Sequence, residues 1–244
     1  MGRAFEAWAM THPGLVRPTN QDTFGLTGYS SSSENESQHF EMNGESCWAL
    51  VADGMGGHRA GAYASKIVVE FLSQRISAIR DPAALPELLA SVNQRVHEAM
   101  FSEEGDAGMG TTIVGFRSDA NSTVIFNVGD SRAYLLRRGQ LSQVSFDHTP
   151  EGSSNRGNRS HRLTQSLGGT FHRVDPVPHV VSIVIQKDDV ILLCSDGLTD
   201  LVRDDHIRDI LNQSEVDPAS DLVNAALTAG GRDNVTAVLL KVKE

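Results

Sequence analysis

The chain has 244 residues, 39% of them hydrophobic and 21% charged, which supplies a real core and excludes a disordered polyelectrolyte. Its net charge of −10 argues against nucleic acid or an anionic membrane surface as a partner. No run approaches the roughly 18 apolar residues of a membrane span, and Met1 to Phe5 lacks a signal-peptide pattern, so a soluble cytoplasmic protein is expected.

In chain order, Phe5 to Met10 reads as a short strand. The stretch from Tyr29 to Ser46, rich in Ser, Asn, Glu and Gly, reads as an exposed loop. Cys47 to Ala52 is a continuous apolar strand ending at Asp53. From Ala60 to Ile79, apolar residues such as Ala64, Ile67, Phe71 and Leu72 recur at three-to-four spacing and predict an amphipathic helix. A second helix is expected from Asp81-Pro82 to Ser102. Strands follow at Thr111 to Phe116, Thr123 to Val128 and Arg132 to Arg137, the last turning at Arg138-Gly139 toward Leu141.

Pro150 to Arg162 is polar and reads as a mobile loop. Val180 to Ile185 and Val190 to Leu193 read as strands paired across Lys187-Asp188-Asp189. Short helices are expected at Asp204 to Asn212 and Pro218 to Ala229, and a strand at Val235 to Val242. Clustered strands with paired helices and no βαβ alternation indicate an α+β fold with largely antiparallel sheets, in one domain over residues 1–244. Cys47 and Cys194 sit beside apolar runs without metal-pair spacing and read as buried free thiols.

Aspartates recur in five tight contexts: Asn20-Gln21-Asp22, Ala52-Asp53-Gly54-Met55-Gly56-Gly57, Val128-Gly129-Asp130-Ser131-Arg132, Cys194-Ser195-Asp196-Gly197 and Gly231-Arg232-Asp233-Asn234. Strands can carry such carboxylates to one place, and glycine permits close backbone approach. Like charges at 4 Å repel by about 1 kcal/mol in water and more in a protein, so hard divalent cations are the natural neutraliser. Each context also has a plain reading. Asp53 and Asp196 would be helix caps, Asp233-Asn234 a turn pair, and Asp130 a bulge or the ion-pair partner of Arg132. The Asp53 stretch lacks both P-loop and dinucleotide-fingerprint spacing.

These stretches, with Gly14 to Pro18, His58, Gly108-Met109-Gly110-Thr111-Thr112 and Leu163 to Gly168, stand in the order found in the metal-dependent protein phosphatases. The chain resembles that family, the protein phosphatase 2C type, in its compact bacterial form. The resemblance implies a four-layer α-β-β-α sandwich. It also implies a serine/threonine phosphoprotein phosphatase using two Mn²⁺ or Mg²⁺ ions, with a third, weaker one. By the same resemblance, Asp53 bridges two ions, Gly54 offers its carbonyl to one, and Asp196 and Asp233 complete the other. Asp130 joins Asp196 at the third ion, Asp22 and Gln21 act behind the ligands, and Arg17 clamps phosphate. His58 is either the acid that protonates the leaving alkoxide or a solvent-exposed histidine at a helix start. The implied partners are phosphoproteins and the serine/threonine kinase whose action is reversed; a monomer is expected.

Three departures from the pattern stand out. Gln21 replaces an acid, which removes one negative charge beside the ions. The flap at residues 147–162 is shortened. A polar insertion spans residues 29–46, either a tolerated surface loop or a partner-docking one. Gln21 and the short flap support an alternative, a catalytically weak relative acting as a phosphoprotein-binding regulatory module; a phosphatase of small phosphomonoesters is another.

Overall fold

The computed structural model describes residues 3–57, 59–150 and 162–243. The chain opens with β1 (Ala4–His12), β2 (Asp22–Leu26), β3 (Tyr29–Ser30), β4 (Glu36–Asn43) and β5 (Ser46–Met55). Helices α1 (Ala60–Ser73) and α2 (Leu85–Ala99) follow. Next come β6 (Gly110–Thr111), β7 (Ile113–Asp119), β8 (Thr123–Val128), β9 (Arg132–Arg137) and β10 (Gln140–Gln143). After β11 (Leu167–Gly168), β12 (His179–Ser182) and β13 (Val190–Cys194), helices α3 (Asp196–Thr199), α4 (Asp204–Gln213) and α5 (Pro218–Thr228) lead to β14 (Val235–Val242).

The strands form two antiparallel sheets. One runs β10-β9-β13-β14-β1-β4; the other runs β11-β6-β5-β7-β8-β12, with β2 also paired to β5 and β3 to β2. Side-chain alternation along the strands sorts the apolar residues into three cores. On β5, Cys47, Ala49 and Val51 face the other sheet while Trp48, Leu50 and Ala52 meet α1 and α2. On β14, Val238, Leu240 and Val242 face inward, and Ala237 and Leu239 pack under α4 and α5. The result is the α-β-β-α layering implied by the resemblance. Phe5 of one sheet and Phe116 of the other meet edge to face at 5.4 Å between ring centroids, inside the shared core.

Several local expectations are corrected. Residues 29–46 are not a loop: they contribute β3 and the edge strand β4, which pairs with β1 along its length. Phe40 and Met42 turn toward the core while Ser37, His39 and Glu41 face solvent, so the strand period was hidden in a polar composition. The strands near 180 and 190 do not pair with each other. β12 pairs with β8 in one sheet, and β13 lies between β9 and β14 in the other. The crossover is pinned by Arg137, which donates to Asp189 at 2.6 and 2.9 Å and to the Val184 carbonyl at 2.6 Å.

β5 does not end at Asp53 but continues to Met55, and β2 was not anticipated. The first helix stops at Ser73, followed by a 3₁₀ turn at Ile76–Ala78 that buries Ile76. Asp81 caps a 3₁₀ turn (Pro82–Ala84) that precedes α2, and α2 ends at Ala99 rather than Ser102. Arg138 and Gly139, at φ 51° and 76°, form the expected tight β9–β10 turn. The loop expected from Pro150 to Arg162 falls, for residues 151–161, outside the described residues.

Gly115 on β7 lies directly opposite Phe126 on β8. A Cβ there would sit 2.2 Å from the tip of the fully buried Phe126 ring. Gly115→Ala should therefore destabilise the protein by about 1–3 kcal/mol through overpacking. A lowered denaturant midpoint with an unchanged slope checks this; an unmoved midpoint would mean the ring relocates freely.

Candidate active site

Where the ends of β5, β8 and β13 meet the turns before β2 and β14, a cavity of about 1200 Å³ opens. Arg17, Gln21, Asp53, Gly54, Asp130, Asp196 and Asp233 all line it. Residues more than 200 positions apart in sequence thus share one site. Among the described residues, no three acidic, histidine or cysteine groups close into a tight cage; the carboxylates border the cavity. His58 lies outside the described residues.

The plain readings of the aspartates fare poorly. Helix α1 is preceded by Arg59 with no side-chain cap, so Asp53 is not a helix cap. Ser195, not Asp196, holds the cap position of α3. Arg132 turns away from Asp130 and grips Asp147 at 2.6 to 3.0 Å. Asp233 does accept from the Asn234 amide at 2.9 Å, the local contact a turn pair makes.

Asp53 is fixed through its backbone. Its amide donates to Thr112 Oγ1 at 3.0 Å, and its carbonyl accepts from Thr111 Oγ1 and the Thr112 amide at 2.8 and 2.9 Å. Gly54 next to it donates to the Gln21 carbonyl at 3.2 Å. A Cβ on Gly54 would lie 2.2 Å from the Gly61 carbonyl oxygen, so only glycine allows this packing of β5 against α1.

Asp22 sits across the β2–β5 ladder from Asp53 and is buried behind the cavity wall. Its Oδ2 accepts from Ser195 Oγ and Thr236 Oγ1, each at 2.7 Å. Because Thr236 gives its proton to Asp22, Thr11 must donate to Thr236 at 2.8 Å, and Asn20 Nδ2 donates to Thr11 at 2.7 Å. This chain of donors runs from Asn20 to Asp22. Among the described residues, Oδ1 of Asp22 is buried with no hydrogen-bond partner. Such an orphaned acceptor is costly unless something donates to it.

Electrostatics set the site apart. Burial, then the charges of Asp22, Asp196 and Asp130, drives the Asp53 carboxyl well above the carboxylate range, and its hydrogen bond with Asp196 pushes the same way. Burial raises Asp22 to about 7 against its hydroxyl donors, with Asp196 and Asp233 adding to the rise. Asp130 is also raised to about 7, by burial and then by Asp196 and Asp147. The crowded negative charge favours proton uptake, as it would favour a cation, and oxygen-only donors match hard divalent cations. The residues therefore fit such ions. Arg17 partly answers the charge by donating to Asp233 at 2.6 Å. By contrast, burial raises the Cys47 and Cys194 thiols to about 11 and about 12, so both remain inert.

Sequence reasoning missed the residues that hold the others. Asn234 accepts from the Gln21 amide at 2.8 Å and donates to the Pro13 and Thr19 carbonyls, each at 2.9 Å, which anchors the loop bearing Arg17. Ser195, Thr236 and Thr112 likewise sit inside the recognised motifs, but their partners are remote in sequence.

A stacked pair of antiparallel sheets under helix layers, with buried carboxylates gathered at one end, defines the class: an α+β sandwich built around an acidic, oxygen-lined pocket. The protein phosphatase 2C family profile matches residues 29–229. The serine/threonine phosphatase Stp of Listeria welshimeri is 33% identical over 254 residues, covering 95% of this chain and 93% of that protein. Two solved structures of the phosphatase PstP, one from Mycobacterium tuberculosis and one of the catalytic domain in complex with two manganese ions, are each 30% identical with a TM-score of 0.77. Each match covers 99% of this chain and 100% of the other. The serine/threonine phosphatase of S. agalactiae aligns at TM-score 0.80 and 26% identity, over 98% of this chain and 100% of that one. The chain belongs to the protein phosphatase 2C family, and by that membership it is a protein phosphatase. No helix among the described residues is long and apolar enough to cross a membrane.

Proposed function

We propose that this protein is a serine/threonine phosphoprotein phosphatase that works with two Mn²⁺ or Mg²⁺ ions, its whole span forming one catalytic domain. The observation that carries the reading is the convergence of Asp53, Asp130, Asp196 and Asp233 with Arg17 on one cavity, with protonation raised where cations would relieve it. The manganese complex of PstP and the serine/threonine phosphatase names of the relatives support the same reading.

Asp53 would hold both ions, with Gly54 offering its carbonyl to one and Asp196 and Asp233 their carboxylates to the other. Asp130 and Asp196 would hold a third. Bound ions supply a water ionised near neutral pH and neutralise charge building on the phosphoryl oxygens. Asp22, steered by Ser195 and Thr236, leaves Oδ1 to accept from a water behind the ligands. Arg17 has five donors in a planar fork, so it can bind phosphate while retaining Asp233. His58, placed here by family resemblance alone, would protonate the departing serine or threonine oxygen. Substrates would be phosphoproteins modified by a serine/threonine kinase, and the protein would act as a cytoplasmic monomer.

The test is phosphate release from a phosphothreonine peptide and from an aryl phosphate, with Mn²⁺ and with chelator. Manganese-dependent release favouring the peptide supports the proposal; no turnover of either substrate with Mn²⁺ present would favour the regulatory-module alternative. Arg17→Ala should raise the peptide KM by roughly 10-fold with a smaller change in kcat, the signature of lost binding to the phosphate. An unchanged KM would remove Arg17 from phosphate recognition.

A further inference from the structure

The cavity rim divides by charge. On the α3–α4 side stand Asp200, Asp204 and Asp205; on the other stand Arg17 and Arg232. Among the described residues three guanidinium groups line the cavity, and two are engaged: Arg17 by Asp233 at 2.6 Å and Arg203 by Asp205 at 2.7 Å. Arg232 is exposed, and among the described residues no hydrogen bond or ion pair holds its guanidinium.

Its backbone is nonetheless firmly set. The Gly231 amide donates to Ala226 at 3.0 Å, the Leu15 amide donates to Gly231 at 2.7 Å, and Asn234 fastens the adjoining loop. Gly14 is packed so closely that a Cβ on it would lie 2.2 Å from the Asp233 carbonyl oxygen. Arg17 touches Asp233, and Arg232 precedes that residue in the chain and lines the same cavity. An extended polypeptide advances about 3.3 Å per residue. A peptide with its phosphate at Arg17 would bring residues within about three positions of the phosphorylated one to this side of the rim.

We infer that Arg232 recognises an anionic side chain, a carboxylate or a second phosphate, that flanks the phosphorylated residue of a substrate protein. The inference rests on the phosphatase reading and sharpens it into a substrate class. Elsewhere among the described residues lining the cavity, an acidic flank meets Asp200, Asp204 or Asp205, or a guanidinium already paired. Among those described residues, Arg232 is where it meets an uncompensated positive charge. The exposed position makes the preference modest and salt-sensitive.

The test uses phosphothreonine peptides that differ at one flanking position, bearing Glu, Gln, Lys or a non-hydrolysable phosphonate, at saturating Mn²⁺. The wild type should show kcat/KM about 5-fold higher for the Glu peptide than for the Gln peptide, and lower still for Lys. A response to the phosphonate but not to Glu would assign the site to a second phosphate; a response to both assigns it to anions generally. Arg232→Gln should bring the ratio near one, Arg232→Glu should invert it toward Lys, and Arg232→Lys should retain most of it. Manganese titrations of the variants followed by thermal shift should match the wild type. Turnover without flank dependence, or variants that alter manganese affinity and leave the ratio intact, overturns the inference alone. Absence of any peptide turnover overturns the phosphatase reading and the inference with it.

Discussion

Asp53→Asn should sharply reduce the catalytic activity and abolish the response of the protein to manganese, while leaving the metal-free fold at least as stable as the wild type. The substitution keeps shape and removes charge. Asp53 is buried beside Asp22, Asp130 and Asp196, and burial with mutual repulsion already pushes it toward the protonated form. In the absence of ions, the carboxylate is a liability at neutral pH, so the amide relieves strain. In their presence, on the proposed ligand set, it would be the group on which the ion pair depends. Turnover should fall by roughly 10³-fold, the scale associated with losing one preorganised electrostatic stabiliser. The thermal shift produced by Mn²⁺ should vanish, since stabilisation by a ligand requires its binding to the folded state. A merely structural Asp53 would give the reverse pattern, a destabilised variant that still gains stability with Mn²⁺.

Metal-free protein should lose stability as pH rises from about 4 to about 7. Asp22 and Asp130 have folded values near 7, raised first of all by burial, against about 3.9 in an unfolded chain. Between these limits the folded protein keeps protons that the unfolded one has released, so the slope of stability against pH is negative. The contribution is fully present below the unfolded value and gone above the folded one. Each group accounts for several kcal/mol to order of magnitude. Asp119 works in the opposite sense. Held to about 2 by Arg117 and the Asn121 and Ser122 amides despite burial, it stabilises above about 4 and loses that effect only in acid. Thermal melts in chelator from pH 4.5 to 8 measure the balance, and Mn²⁺ added at pH 8 should restore what the protons supplied at pH 5. A flat or rising profile between pH 5 and 7 in chelator would show that these carboxylates are not confined together.

How much of this was legible in the chain depends on the range of the interactions. The apolar strand into Asp53-Gly54, the turn at Arg138-Gly139 and the helix at Pro218 carry local signals: an apolar run, positive backbone angles, and a cap in which Asp217 accepts from the Ser220 amide at 3.0 Å. Strand β4 was missed because its inward side chains are interleaved with Ser37, His39 and Glu41 on an exposed edge. The segments near 180 and 190 looked like a hairpin because both are apolar and closely spaced. Val181 and Ile183 nevertheless face the same inter-sheet core as Ile191 and Leu193 from the opposite side, and nothing local says which sheet receives them. The same limit applies at the site. The aspartates stand out beside their glycines, whereas the hydroxyls that orient Asp22 come from 173 and 214 residues away.

The acidic groups are divided between the two β layers. Asp53 and Gly54 belong to β5, while Asp196 follows β13 and Asp233 precedes β14 in the facing sheet. On the proposed ligand set, the sandwich would act as a calliper whose jaws are set by the thickness of the core between them, including the Phe5–Phe116 contact. Small octahedral cations hold their oxygens at about 2.0–2.1 Å and tolerate little misfit. Swelling or thinning that shared filling by a few tenths of an ångström would detune the gap long before the fold gave way. Interior substitutions far from the mouth of the cavity would register first as weakened ion affinity.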